Sequence, residues 1–471
     1  MNQAFAYLLG YGTPALVFLA AALLPLVAIA LAVSRPTSVV FGYIAILMCF
    51  TQSSYGALEA DRTIYSRGSG QLFFSFLNWI LLGLALTLPF LARWSGNKPF
   101  RTNLGTPFLL LTLLFAGNLM VAPLVGVDIA KVFSGNGFVN ALFMSLLIFV
   151  IVRSVNSRLH LGWLERILVT VGAARAVFGL GRYAAFGGDS SNVYENVEHL
   201  GFKISYFDIC DNMIASVVLI FCLRKLFADW KFMTVAHRLA LMLLVAMELA
   251  VIILSYRRTA WGGLILTLAF FFFLLPSRQR LLPLLAAPLI AFPIWWVGSQ
   301  RLDRVVSGQS FLSQFFYDVY SKNNFVAEST RSIELKATLQ TFLENPVFGT
   351  GAWGRYQGAN GIAWQSGPDA FTFVHSGVLH ILLKTGLAGM GIALAAVFLF
   401  VRFVVRARRE VAETDRWLFD ASLAGLIFMI PDFMLGTPIP QFRTMLLYGV
   451  MIAIPYVIAG LSARERLGKL R

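Results

Sequence analysis

Chemistry has few places to reside in this chain, because only five of its 471 residues are histidine and only three are cysteine. Cys49, Cys210 and Cys222 lie in or beside apolar stretches without paired spacing, so they make neither a disulfide framework nor a metal motif. There is no HExxH, no CxxC and no clustered set of carboxylates, and no catalytic metal is expected. His160 and His237 fall in basic loops and read as solvated surface groups, while His199 lies beside Glu198 in an acidic loop. His375 and His380 stand at one end of a long apolar run, about 140° apart around a helix, so they do not share a face. On the residues alone, His375 is as readily an interface histidine as a catalyst. Arg257 and Arg258 are more telling, since they interrupt the apolar runs LMLLVAMELAVIILSY and TAWGGLILTLAFFFFLL. Adjacent arginines point in different directions: one, read as Arg257, can snorkel to lipid headgroups, and the other should face the protein interior.

The elements that must position these residues are membrane spans. The chain is 58% hydrophobic and 13% charged, with a mean hydropathy of +0.74, whereas an average soluble domain is about a quarter charged. Uncharged apolar runs recur from end to end, the mark of an all-α polytopic integral membrane protein of about 12–13 transmembrane helices. The spans are read near 14–33, 37–51, 71–92, 106–126, 138–152, 163–182, 206–223, 239–255, 259–275, 282–299, 375–401, 417–435 and 443–460. A removable signal peptide is not expected: MNQAFAYLLGYGTP carries no Lys or Arg, and Pro14 to Val33 is long enough to span. The net charge of +15 does not indicate a nucleic-acid partner, because most basic residues sit in short loops between apolar runs.

Those loops set an orientation. Arg93/Lys98/Arg101, Arg153/Arg158, Arg224/Lys225/Lys231/Arg238, Arg278/Arg280, Arg402 to Arg416 and Arg464 to Arg471 all fall on one side, which the positive-inside rule makes cytoplasmic. The longer connections near 52–70, 183–205 and 300–372 then face the periplasm of a bacterial cell. The chain accordingly divides into a transmembrane bundle over 1–299, a large periplasmic segment over 300–374 covering a site, and C-terminal spans with a basic cytoplasmic tail over 375–471.

Within the covering segment the spacing predicts a helix from about Ser329 to Glu344, ended by Asn345-Pro346. Ser332, Lys336, Gln340 and Glu344 make a polar stripe; Leu335, Leu339 and Phe342 mark the face expected to be buried, with Arg331 in line one turn earlier. An arginine on an apolar face needs an anionic or carbonyl partner. The outer layer thus holds Arg258, Arg331 and His375. Two fixed cations beside one imidazole suit a reaction whose leaving group is a phosphate or diphosphate. Nucleotide sugars are absent outside the cytoplasmic membrane, so a transferase there takes a substrate preactivated in the membrane, and polyprenyl-diphosphate glycans are the obvious class.

His375-Ser376, Gly386 and Gly389 in HSGVLHILLKTGLAG resemble the His-[Asn/Ser/Gln]-x9-Gly-x2-[Gly/Thr/Tyr] signature of the O-antigen ligase/polymerase superfamily. SYRRTAWGGLIL resembles that family's Ser-x-Ser-Arg segment, and STRSIELKATLQTFLENPVFGTGAWG its arginine-started helix closed by Asn-Pro-x-x-Gly-x-Gly. The resemblance covers roughly residues 200–440. It implies a GT-C-like fold, a catalytic role for His375 and diphosphate binding by Arg258 and Arg331, with Arg257, Ser376, Lys203 and Asp432 as supporting candidates. Two departures stand out. Gly262 occupies a position where the family often has leucine, and Tyr206-Phe-Asp-Ile-Cys-Asp-Asn212 stands where relatives often have a Phe-x-Asn-Pro-Asn-like stretch.

The expected activity is that of a metal-independent, inverting glycosyltransferase of the bacterial inner membrane that needs no cofactor. An acceptor sugar hydroxyl attacks the anomeric carbon of a glycan linked to undecaprenyl diphosphate; orienting or deprotonating that hydroxyl by His375 is worth about 10²–10⁴-fold. The acceptor is a saccharide or lipid-linked saccharide. Acidic residues on the outer side, among them Glu59, Asp128, Glu198, Glu334 and Asp369, nearly balance the basic ones, which argues against a strongly anionic acceptor and for a polymerase. The alternatives are an O-antigen ligase joining the glycan to lipid A-core, a protein O-oligosaccharyltransferase, and a non-enzymatic transporter of lipid-linked sugars. A transporter needs charges along a central path, whereas here they crowd at the outer ends.

Overall fold

The computed structural model describes residues 36–51, 65, 75–94, 105–190, 192, 203–303, 324–357 and 370–469. The span read near 14–33 lies outside them. Among the described residues the regular structure is all helical: α1 (Pro36–Cys49), α2 (Phe76–Trp94), α3 (Gly105–Leu124), α4 (Ile129–Val132), α5 (Val139–Ser154), α6 (Arg158–Ala185), α7 (Ile209–Asp229), α8 (Val235–Ile253), α9 (Arg258–Leu274), α10 (Leu281–Asp303), α11 (Asn324–Glu344), α12 (Gly377–Glu410), α13 (Glu413–Phe428), α14 (Ile430–Leu435) and α15 (Phe442–Lys469). Each of the other twelve apolar runs read from the sequence coincides with one of these helices or, for 417–435, with the α13–α14 pair.

Among the described residues, six segments are long and apolar enough to cross a membrane: α3, α6, α8, α12, α13 with α14, and α15. The chain is a polytopic α-helical membrane protein. Helix starts follow side-chain capping, with Ser157, Asp208, Thr234 and Ser376 each accepting a hydrogen bond from a first-turn amide. Helix α7 is buried almost all round, packed by α6, α8, α9 and α13, and is the centre of the bundle. Crossing of α9 with α13 is close because Gly263 lies against the Phe428 backbone, where any Cβ would collide.

Ion pairs sort the polar residues to two ends. At one, Arg158 bridges Asp415 and Glu465, Arg466 meets Glu410 at 2.7 Å, and Asp420 holds Arg408 at 2.8 Å and Arg224 at 3.1 Å. These contacts gather four of the basic loops at the same end of the bundle. At the other, Arg443 meets Asp208 and Asp211, each at 2.7 Å, and Arg257 meets Asp432 at 3.6 Å. Asp211 and Arg224 both belong to α7, thirteen residues and so about 20 Å apart.

Candidate active site

The site is built on the first turns of α12. Ser376 is the helix N-cap, its hydroxyl accepting from the Leu379 amide at 3.3 Å, so His375 stands one residue outside the helix where its ring can reach a partner. The helix then breaks at Gly386, whose φ of 61° is open to glycine and whose added Cβ would stand 2.5 Å from the Val347 backbone. A break leaves carbonyls 383 and 384 and amides 387 and 388 without their intrahelical partners. The turn after α11 supplies all four: Thr350 and Gly351 amides donate to the Leu383 and Lys384 carbonyls at 2.8 and 3.0 Å, and the Leu387 and Ala388 amides donate to Pro346 and Val347 at 2.8 and 3.0 Å. Lys384 adds a buried bond from Nζ to the Gly354 carbonyl at 2.6 Å. The Asn-Pro-x-x-Gly-x-Gly turn and the His-x10-Gly segment are therefore one backbone unit.

That stitch lays α11 over the start of α12. Glu334, fully buried, places its carboxylate 3.0 Å from Nδ1 of His375 and also accepts from the His375 backbone amide at 3.4 Å. Tyr356 donates its hydroxyl to Glu334 at 3.4 Å, and burial, then the Glu334 carboxylate, push this phenol above its ordinary range. The imidazole is half-buried, with Phe373 edge-on at 5.6 Å between ring centres. A carboxylate fixed on Nδ1 sets the tautomer: Nδ1 donates, and Nε2 becomes the basic nitrogen. His380 does not join this group. It is buried on a different side, against Phe138.

The face of α11 turned inward differs from the one expected. Glu334, Ala337, Thr338, Thr341 and Phe342 are buried, whereas Leu335 and Leu339 are exposed. The expectation rested on a soluble protein's rule, in which the apolar face marks the interior; in a membrane protein the interior face can be the small and polar one. The helix also begins earlier, at Asn324 rather than near Ser329. Arg331 falls within it, three residues before Glu334, and its side chain lies outside the described residues. Glu334 was not singled out from the sequence. Its position three and seven residues from Arg331 and Thr341, on one helical face, is the signal that identifies it.

Arg257 is a second correction. Instead of snorkelling it turns inward, pairs with the buried Asp432, donates to the Phe207 carbonyl and lies over the Phe207 ring at 5.3 Å. Asp432 is within electrostatic reach of His375 as well as of Arg257 and Asp208. Arg258 is half-buried in the first turn of α9, which packs on the α14 element carrying Asp432. Lys203 is exposed on the stretch before α7, and no described contact joins it to His375. The unusual aspartates of the 206–212 stretch also find a partner. Asp208 and Asp211 bind Arg443, which donates to the Leu47 and Met48 carbonyls at the end of α1 as well.

An apolar groove of about 810 Å³ opens between α3, α5, α12 and α15. Phe433, next to Asp432, and Ile381, early in α12, lie at one end, and Phe149 and Arg153 at the other. Among the described residues, no three His, Cys, Asp or Glu side chains gather as they would around a metal. A search of curated proteins found no match. Residues 239–394, the stretch from α8 through the Gly386 break, match the family model of O-antigen ligases, a match that supports membership of the O-antigen ligase/polymerase superfamily.

Proposed function

We propose that this protein is a GT-C-like, metal-independent, inverting glycosyltransferase that moves a glycan from undecaprenyl diphosphate to an acceptor sugar hydroxyl at the periplasmic face of the inner membrane. The Glu334–His375 pair carries this reading. With Nδ1 held by Glu334, Nε2 of His375 takes the proton of the acceptor hydroxyl as its oxygen attacks the anomeric carbon. The bond from that carbon to the diphosphate breaks on the opposite side, and the diphosphate leaves with the electron pair. Arg258 and Arg331 hold its oxygens and stabilise the charge that develops there. Arg257, tied to Asp432, keeps the start of α9 in place rather than touching substrate. The apolar groove beside α12 supports a donor with a long hydrocarbon tail, whose headgroup would emerge near His375. The basic end of the bundle is taken as cytoplasmic, so His375 faces away from it.

The acceptor is read as a second glycan, which makes the reaction a polymerisation. Analysis of glycans in a deletion strain tests this: loss of long chains altogether fits a polymerase, and long chains left on the lipid carrier mean a ligase. Chemistry is tested in proteoliposomes with purified undecaprenyl-diphosphate glycan. Transfer should persist in excess EDTA and vanish in His375→Ala. An activity that needs added Mg²⁺ or Mn²⁺, or that survives in His375→Ala, overturns the mechanism.

A further inference from the structure

Helix α11 has three faces, and the function above uses only one. Its inner face is the buried Glu334–Ala337–Thr338–Thr341 surface against α12. A second face carries Lys336, Gln340 and Glu344, all exposed. The third is apolar and also uncovered: Leu335, Leu339 and Leu343 recur every four residues, followed by Val347 and Phe348 in the turn, and exposure reaches 63% at Leu343 and 74% at Phe348. Five large apolar side chains in one uncovered row need a partner other than water.

What lies beside the row identifies that partner. Backbone bonds from Leu387 and Ala388 to Pro346 and Val347 bring the row directly onto α12. There it continues as Leu387, Leu394, Phe398, Val401 and Val405, exposed along a helix of 34 residues that crosses the membrane. The lipid-facing stripe of a span therefore runs without interruption onto the covering helix. We infer that α11 is an interfacial helix whose Leu335–Leu339–Leu343–Val347–Phe348 edge is immersed in the lipid leaflet at the His375 end of α12. Lys336 and Gln340 flank the leucines at the level where a long polar side chain reaches headgroups. Lipid immersion then presses the Glu334 face onto His375, so the bilayer holds the cover in place. A helix lying in the interface, not spanning, is what a polar inner face and a narrow leucine edge produce.

The inference does not depend on the reaction assigned to the site, and its test reads no activity. Cys49 is exposed and Cys210 and Cys222 are buried, so Cys49→Ser leaves a background in which introduced cysteines can be labelled. Spin labels at Leu339→Cys, Leu343→Cys, Lys336→Cys and Gln340→Cys are compared in proteoliposomes for collision with oxygen and with a water-soluble nickel chelate. Labels at 339 and 343 should favour oxygen, and labels at 336 and 340 the chelate, with the preference alternating along the helix. Phe348→Cys, outside the helix, carries a bimane whose emission should be quenched by brominated lipid; it serves if a label disturbs α11. Chelate access at 339, 343 and 348 overturns the inference, because the row then faces water. Protection from both reagents overturns it too, because another protein surface then covers the row.

Discussion

Two charged clusters share one end of the bundle and could not differ more in what surrounds them. Around Arg443 everything is sealed and matched: its guanidinium is fully buried, two aspartates and two helix-end carbonyls take its hydrogens, and Arg175 meets the second aspartate at 2.6 Å. The cations also sit at the C-terminus of α1, where the helix dipole is negative. Around His375 the seal is less complete. Glu334 is sealed, whereas the His375 side chain keeps 15% of its surface exposed. A buried cluster with every charge answered specifies how helices meet. A titratable group held by a carboxylate and still partly exposed can exchange a proton with a substrate. Intramembrane charge by itself therefore does not mark a catalytic site.

The sharpest way to break this contrast is Arg443→Met. Removing one partner of a buried pair costs about 3–5 kcal/mol, so little folded protein should survive fluorescence-detected size exclusion. A monodisperse and active variant would mean that the sealed cluster is not structural. His375→Ala should do the reverse, losing about 10²–10⁴-fold in transfer rate while remaining monodisperse, its loss of stability smaller than that of Arg443→Met because Tyr356 still holds Glu334. Next come Arg258→Lys and Arg331→Lys, which keep the charge but lose the planar fork; each should lose about 10–100-fold in transfer, with Arg331→Lys also raising KM for the donor. Near wild-type rates in both would reduce these residues to a positive surface potential. Glu334→Gln should lower kcat by about tenfold with little change in KM, and Glu334→Asp should recover part of it. Arg257→Lys is expected to be mildest, at about 1 kcal/mol of stability, since Lys can still meet Asp432 but not the Phe207 carbonyl as well.

Hydropathy made the helices legible because lipid selects for apolar length, and length is a local property. Partners across the chain were not legible. Arg443 and Asp208 are separated by 235 positions, and nothing local announces that they meet. The Tyr206–Asn212 stretch read as a departure from the family's pattern and is half of a structural ion cluster. Loop charge statistics could not say that Arg257 turns inward to Asp432. On α11 the sequence pattern was clear and its sense was inverted at two of three positions: Phe342 looks in as expected, Leu335 and Leu339 look outward, and Glu334, hidden among threonines, looks in. The three motif segments were found in order, yet the reason for the glycines was invisible until the turn at 346–351 met the break at Gly386.

That junction also governs the order in which the protein can be made. A helix with two free carbonyls and two free amides is a poor substrate for membrane insertion, because each unsatisfied group costs several kcal/mol in hydrocarbon. In the chain the repairing turn precedes the break at Gly386 by about thirty-five residues, so it is made before the broken part of α12 enters the membrane. Insertion of α12 is then a docking event, in which the helix partitions only with its earlier-made partner already beside it. Damage to the turn should surface first as failed biogenesis, with the segments after Gly386 on the wrong side of the membrane or degraded, and only secondarily as an inactive enzyme.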